Sequence, residues 1–181
     1  MDFKKVIQKR ESVRKFKDKN IEDSKIKTIL ECARWAPSAL NKQSWEFIVV
    51  KSKDTIQKIS KASHFINRWM KDAPVIIIAC GDPKEGSIHN EINYYSINVA
   101  IAMEHLILAA TNEGLGSCWI AAFDEKKIKK ILDIPEEIKV IALTPLGYPS
   151  EKQGLQGRIN KFFSKSKKRK SLNRIVHREK W

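Results

Sequence analysis

The chain has 181 residues and a mass of 20.9 kDa, which fits one globular domain and nearly excludes a two-domain enzyme. Hydrophobic residues make up 42% of the sequence, enough for a core that needs neither disulfides nor a metal ion. Lys and Arg number 35 against 21 Asp and Glu, a net charge of +14. This charge indicates an anionic partner or a well-solvated surface, and it identifies no ligand by itself.

The cysteines and the start of the chain bear on the cell compartment. Cys32, Cys80 and Cys118 are odd in number and far apart, which argues against a disulfide framework or a zinc knuckle. The stretch from Met1 to Lys5 leads into charged amphipathic sequence without the apolar core of a signal peptide. No segment approaches the roughly 20 apolar residues of a membrane span. We therefore expect a cytoplasmic protein without a membrane partner.

The first half of the chain alternates predicted helices and strands. Asp23 or Ser24 can cap a helix whose apolar residues repeat at helical spacing until Pro37 ends it. The apolar run from Val75 to Cys80 has the length of a buried strand. In chain order, the predicted elements are a helix at 2–9, a helix at 23–36, a strand at 45–50, short helices at 54–63 and 65–71, and a strand at 74–80.

The second half begins with the longest predicted helix, from about Glu91 to Glu113. Its apolar residues extend almost around the helix, so we expect burial on two sides, between the sheet and another subunit. Gly114 ends this helix because glycine tolerates the left-handed backbone of a C-cap. A strand at 117–123, a helix at 125–132 and a strand at 139–146 follow. The polar tail at 150–181 is expected to wrap around the partner subunit.

These elements predict an α+β fold: one domain over residues 1–181, with a mixed sheet of four or five strands flanked by helices.

Most catalytic motifs are absent from the sequence. The four histidines form no zinc-binding pair of the H-E-x-x-H type, and neither a G-x-S-x-G elbow nor a phosphate-binding P-loop occurs. Gly114 and Gly116 follow a predicted helix and precede a predicted strand, which is the reverse of a dinucleotide-binding turn. We expect neither a metal site nor a hydrolase site.

Two segments could bind an anionic, ring-containing ligand. Arg10, Ser12 and Arg14 alternate, so an extended loop would direct two guanidinium groups and a hydroxyl to one side, where a phosphate could bind. An exposed basic loop is the alternative interpretation of this segment. The segment from Pro37 to Trp45 offers small and amide side chains for a flat polar heterocycle, and it could equally be an ordinary connection.

The combined motifs resemble those of the FMN-dependent nitroreductase family. They are R-x-S-x-R at 10–14, P-S-A-x-N-x-Q-x-W at 37–45, G-L-G-S-C-W-I-A-A-F at 114–123, L-G-Y-P at 146–149 and R-K-x-L at 169–172. Each motif alone is weak, but their order and spacing match over residues 3–181. The resemblance implies a nitroreductase-like homodimer with two FMN sites at the subunit interface.

The resemblance also implies roles for individual residues. Arg10, Ser12 and Arg14 hold the FMN phosphate, and Arg169 returns to the same phosphate. The residues implied at the flavin ring are Pro37, Ser38, Ala39 and Asn41 of the opposite subunit and, through their main chain, Trp119, Ile120 and Ala121.

The sequence departs from the family pattern at three positions. Ser44 and Ser171 stand where proline is usual, and Asn98 stands in the long helix where aspartate is common. None of these positions belongs to the implied phosphate site. The aspartate-to-asparagine difference puts details of the helix that faces the dimer in doubt.

The implied reaction is a ping-pong transfer of two electrons from NAD(P)H through FMN to nitroaromatics, quinones or other flat conjugated acceptors. The flavin carries this chemistry, so no protein residue is expected to be catalytic. Reductive dehalogenation or other flavin chemistry on the same fold is the nearest alternative, although no dedicated lid is recognisable between residues 60 and 95. A more distant alternative is a basic nucleic-acid-binding module, based on a pI of about 9.7 and on Phe162 and Phe163 next to the basic run 165–170.

Overall fold

The computed structural model describes residues 2–150 and 169–181. It divides into two compact units, Met1–Ser150 and Glu151–Trp181. In the second unit, the described residues include a short 3-10 helix at Leu172–Arg174. Phe162, Phe163 and most of the tail lie outside the described residues. The wrapping role of the tail and the single-domain organisation therefore stay predictions.

The elements of the first unit follow the predicted order closely. The helices are α1 (Phe3–Lys9), α2 (Asp23–Arg34), α3 (Lys53–Ala62), α4 (Tyr95–Asn112) and α5 (Glu125–Leu132). The strands are β1 (Trp45–Val50), β2 (Val75–Gly81), β3 (Ile88–His89), β4 (Ile92–Asn93), β5 (Gly116–Ser117) and β6 (Lys139–Gly147). Short 3-10 helices lie at Ala39–Asn41, Phe65–Asp72 and Pro83–Glu85.

The main sheet has four strands in the order β1-β2-β6-β5. All its ladders are antiparallel. The parallel component of the predicted mixed sheet is an isolated bridge between Ser12 and Ser117. A four-stranded sheet flanked by helices confirms the predicted α+β class.

Strand β2 is buried along its whole length. Val75 and Ile77 pack with residues of α2 and α4 on one face of the sheet. Ile76 and Ile78 pack with residues of α3 and α5 on the other face. Because successive side chains of a strand point to opposite faces, a strand covered by helices on both sides must be apolar at every position. This requirement explains the uninterrupted apolar run.

Helix α4 starts later than predicted because a hairpin precedes it. Strands β3 and β4 pair antiparallel, and the turn between them places Asn90 and Glu91 in the left-handed region, with φ of 49° and 64°. A helix does not pass through two such residues. On α4, Ile97 and Ile101 are half-buried beside a fully buried face that includes Met103.

Two smaller predictions were wrong. The N-cap of α2 is Glu22, so Asp23 lies in the first turn of the helix instead of capping it. The strand predicted at 117–123 contains only the end of β5, followed by isolated bridges at Ile120 and Phe123. The reason is that Ile120 pairs with β6 whereas Phe123 pairs with Ser63, so the backbone leaves the sheet between them.

None of the helices in the described part of the chain combines the length and the apolar character needed to cross a bilayer.

Candidate functional site

The segment that carries Arg10 and Arg14 lies against the end of β5. The amide of Val13 donates to the carbonyl of Ser117 at 2.8 Å. Val13 also packs over Gly116, where an added Cβ would lie 2.6 Å from its side chain. The missing side chain of Gly116 therefore lets the arginine segment approach the strand directly.

Both arginines are half-buried and lie on the same side, next to Cys118. Burial raises the pKa of the Cys118 thiol, while Arg14, a hydrogen bond with Ser12, and Arg10 act in the opposite direction. Within the described ranges, neither arginine forms a salt bridge with a carboxylate. Two guanidinium groups without an anionic partner, beside a hydroxyl, fit a phosphate group. Arg10, Ser12 and Arg14 thus lie near one another around Cys118, and their role at a phosphate stays a prediction.

The main chain at 119–121 runs along an open edge beyond β6. Ile120 exchanges both of its backbone hydrogen bonds with Leu143, at 2.9 Å each. The amides of Trp119 and Ala121 must then point away from β6, because main-chain groups alternate along a paired strand. No described residue accepts a hydrogen bond from either amide, and Trp119 is 39% exposed. These amides can donate to the carbonyl and nitrogen acceptors of a flat heterocycle.

The loop at 37–43 adopts an unusual backbone. Leu40, Asn41 and Gln43 all have positive φ, at 53°, 54° and 48°. Residues with a side chain rarely adopt this left-handed conformation, and each costs on the order of 1 kcal/mol. The loop is held by Asn98 of α4, whose Oδ1 accepts from the amide of Ala39 at 3.0 Å. Pro37 and Asn41 are exposed, whereas Ser38 and Ala39 are half-buried.

Within one chain, this loop and the arginine segment lie at opposite ends of the sheet. The loop enters β1 at Trp45, which reaches Lys139 of β6 through Gly81. The arginine segment contacts Ser117, which pairs with Leu146 at the other end of β6. The stretch of β6 between these points spans roughly 20 Å at about 3.3 Å per residue.

The residues present fit the two ends of FMN. Arg10, Ser12 and Arg14 suit the phosphate, and the open amides at 119 and 121 suit the ring. Arg169 belongs to the second unit, and its place at the phosphate stays a prediction. Among the described residues, no group of His, Cys, Asp and Glu could hold a metal ion.

Sequence reasoning missed what Asn98 and Ser44 do. The side-chain amide of Asn98 donates to the hydroxyl of Ser44 at 3.0 Å. Both residues stood out only as departures from the family pattern. The sequence signals a special role for these residues only by showing both departures in one chain. Nothing in the sequence indicates that the two residues are in contact.

A family model described as the nitroreductase family matches residues 7–66 and 62–148. An Archaeoglobus fulgidus protein proposed to be an NADH dehydrogenase/NAD(P)H nitroreductase is 35% identical, over 98% of this chain and 97% of its own. The Thermotoga neapolitana iodotyrosine deiodinase is 25% identical, over 81% of this chain and 88% of its own.

Solved structures agree with these matches. A nitroreductase family protein from Clostridium novyi NT is 42% identical with a TM-score of 0.80, covering 83% of this chain and 87% of its own. An FMN-dependent nitroreductase from Clostridium difficile R20291 is 27% identical with a TM-score of 0.79, covering 97% and 98%. Sequence and fold thus indicate the same family.

Gly116→Ala tests how the arginine segment is held. The new methyl group would overlap Val13, so we expect the free energy of unfolding to fall by about 1–3 kcal/mol, the usual cost of overpacking. Gly114→Asn separates overlap from backbone strain, because nothing lies within 4 Å of a Cβ there but φ is +77°, which strains a residue with a side chain. Thermal unfolding measures both variants. A Gly116→Ala protein as stable as wild type would contradict the close approach of Val13.

Proposed function

The chain belongs to the nitroreductase family, and on that premise we propose that it is an FMN-dependent NAD(P)H oxidoreductase that reduces nitroaromatics, quinones or similar flat conjugated acceptors. The observation that carries this proposal is the pair Arg10 and Arg14, without carboxylate partners among the described residues, beside the open main-chain edge at 119–121. When bound, FMN supplies the redox chemistry, a two-electron transfer from NAD(P)H to the acceptor in ping-pong order.

The arginine segment holds the phosphate in this proposal. Arg10 and Arg14 donate charge-assisted hydrogen bonds, and the hydroxyl of Ser12 adds a neutral one. The neighbouring Cys118 thiol does not oppose the phosphate, because its raised pKa keeps it uncharged at neutral pH. A thiolate there would repel the same anion. Arg169 supplies a third guanidinium from the tail.

The edge at 119–121 orients the ring. The amides of Trp119 and Ala121 donate to ring acceptors, while Ile120 stays fixed by its hydrogen bonds to β6. Main-chain donors have no rotamers to order, so they hold a flat ligand at little entropic cost. No side chain acts as an acid, base or nucleophile in this proposal.

A second copy of the chain completes the site. The loop with Pro37, Ser38, Ala39 and Asn41 lies roughly 20 Å from its own arginine segment, by the rise of β6. In this proposal it borders the ring held by the other copy, as the resemblance to the family implies. The half-buried apolar residues of α4, such as Ile97 and Ile101, supply surface for a homodimer. We also assign the enzyme to the cytoplasm, in keeping with its three free cysteines.

Reductive dehalogenation is the second candidate function. The relative named iodotyrosine deiodinase supports it. A dehalogenase would need a lid over its acceptor. The segment between α3 and α4 includes a 3-10 helix and the short β3-β4 hairpin. Ile88 and Ile92 of this hairpin are exposed and could contact an acceptor.

FMN titration of the apo-protein tests the phosphate site. A charge-assisted hydrogen bond contributes about 1.5–3 kcal/mol, so Arg10→Ala, Arg14→Ala and Arg169→Ala should each weaken FMN binding by roughly one to two orders of magnitude. Activity should recover with excess FMN, because these residues hold the cofactor without taking part in electron transfer. Lys15→Ala and Lys170→Ala are matched controls from the same segments, and they should bind nearly as wild type.

Equal affinity in all these variants would show that the phosphate binds elsewhere. A colourless wild-type protein that purifies with nucleic acid would support the nucleic-acid-binding alternative instead. Lys165→Ala and Lys167→Ala test whether the basic run affects FMN binding only as a general positive field. Both positions lie outside the described residues.

Mixed dimers test whether two copies share each site. One chain carries Arg10→Ala and Arg14→Ala, and the other carries Ala39→Trp, whose bulk blocks the place of the ring. In a mixed dimer, one site combines both defects and the other site has none. We expect one FMN of wild-type affinity per mixed dimer, measured by titration after tandem-affinity purification. If both parts of a site came from one chain, no mixed dimer would recover a normal site.

A panel of acceptors distinguishes the two candidate functions. A flat, open site discriminates mainly by size and stacking, so reduction rates for nitroaromatics and quinones should follow the acceptor potential. Steady-state rates with each compound, and iodotyrosine as one of them, measure this. Iodide release several orders of magnitude faster than the reduction of equally oxidising quinones would favour reductive dehalogenation.

A further inference from the structure

Asn98 lies in the core, yet its side chain bonds only to groups outside its own helix. It is 1% exposed. Its Oδ1 accepts from the amide of Ala39, and its Nδ2 donates to the hydroxyl of Ser44, both at 3.0 Å. A polar side chain in this position costs free energy unless both of its ends are bonded. Both ends of the Asn98 side-chain amide therefore bind the segment at 38–44.

This segment needs an anchor because its own backbone is strained. Leu40, Asn41 and Gln43 are left-handed, a conformation that persists only where the surroundings hold it. Inside the loop, the hydroxyl of Ser38 accepts from the amide of Gln43 at 2.9 Å. That bond closes the loop on itself but does not tie it to the core.

The two hydrogen bonds of Asn98 tie the loop to the core on both sides of the strained residues. The Ala39 amide lies just before them and Ser44 lies just after them. Ser44 is itself fixed, since its carbonyl accepts from the amide of Asp82 at 3.2 Å. The strained turn is thus held between two fixed points, both attached to α4.

The residues found here satisfy each other's hydrogen-bonding groups. An asparagine amide accepts and donates at the same time, whereas an ionised aspartate only accepts. The donating Nδ2 needs an acceptor, which the hydroxyl of Ser44 provides and a proline side chain would not. The two departures from the family pattern are therefore complementary to each other.

We propose that Asn98, together with Ser44, is the positioning residue for the loop that borders the flavin ring of the opposite subunit. Asn98 does not touch FMN in this arrangement. It acts through Ala39 by fixing where residues 38–41 meet the ring. This inference rests on the proposed function, because it assigns a role to a residue behind that same site.

Three variants and one control test the proposal. Asn98→Leu removes both hydrogen bonds at similar volume, Ser44→Ala removes only the acceptor, and the double variant combines them. Thr111→Val is the control, because Thr111 is also a buried polar residue of α4, and its one hydrogen bond to a described residue lies within the helix, to the carbonyl of Ile107 at 3.0 Å. Thermal unfolding confirms that each protein folds. The conservative Ser44→Ala keeps the test usable if Asn98→Leu does not fold.

The first readout is hydrogen exchange of the Ala39 amide in the apo-protein. We expect about tenfold faster exchange in Asn98→Leu, a smaller increase in Ser44→Ala, and no change in Thr111→Val. The second readout is FMN itself, by titration and by visible circular dichroism of the bound flavin. Affinity should fall about tenfold in Asn98→Leu, the equivalent of one hydrogen bond, with an altered flavin spectrum. Ser44→Ala should add nothing in the Asn98→Leu background.

Two results would overturn the inference. Unchanged exchange at Ala39 would mean that Asn98 does not hold the loop. Faster exchange with an unchanged FMN affinity and spectrum would mean that the loop is held but does not position the flavin. A wild-type protein that binds no FMN is a different result, because it refutes the proposed function, while the apo-protein exchange still reports whether the loop is held.

Discussion

Burial of β2 on both faces constrains everything else in the first unit. Helices α2 and α4 cover one face and α3 and α5 cover the other, so the strand has no solvent-exposed side. It pairs with β1 on one side and with β6 on the other, and β5 pairs with the far side of β6. The 37–43 loop enters the sheet at one end, and the arginine segment docks at the other. The packing of one apolar strand thereby sets the distance between the two parts of the candidate site.

The cofactor decides which tasks are left to the protein. A bound flavin carries the redox step, so the protein has to hold a phosphate and orient a ring. Guanidinium groups without a carboxylate partner and main-chain amides without an acceptor, as found among the described residues, are suited to these tasks. Neither task needs a titrating side chain. In the proposed homodimer, a second copy brings its 37–43 loop to the ring.

The positions of the charged residues are more informative about a ligand than the net charge of +14. Ion pairs such as Lys58 with Asp54 lie on exposed helix faces, where they contribute little to stability. Arg10 and Arg14 differ from these because they are half-buried next to Cys118. Arginines without a carboxylate partner among the described residues are better evidence for an anionic ligand than the net charge of the chain.

The sequence by itself determined the class of the fold, the order of its longer helices and strands, and the family. Apolar periodicity and the run from Val75 to Cys80 were sufficient for these longer elements, because burial imposes those patterns locally. The β3-β4 hairpin was not predicted. The phosphate role of Arg10, Ser12 and Arg14 came from the resemblance to the family and stays a prediction, because their alternation alone also fits an exposed basic loop. The broken strand after Ser117 was not predictable, because its partner Ser63 is remote in sequence. Only the tertiary structure decided that Asn98 and Ser44 meet and that the 37–43 loop and the arginine segment lie at opposite ends of the sheet. The first fact depends on how α4 packs on the sheet and the second on how the strands pair. Contacts between distant segments leave no periodic signal in the sequence.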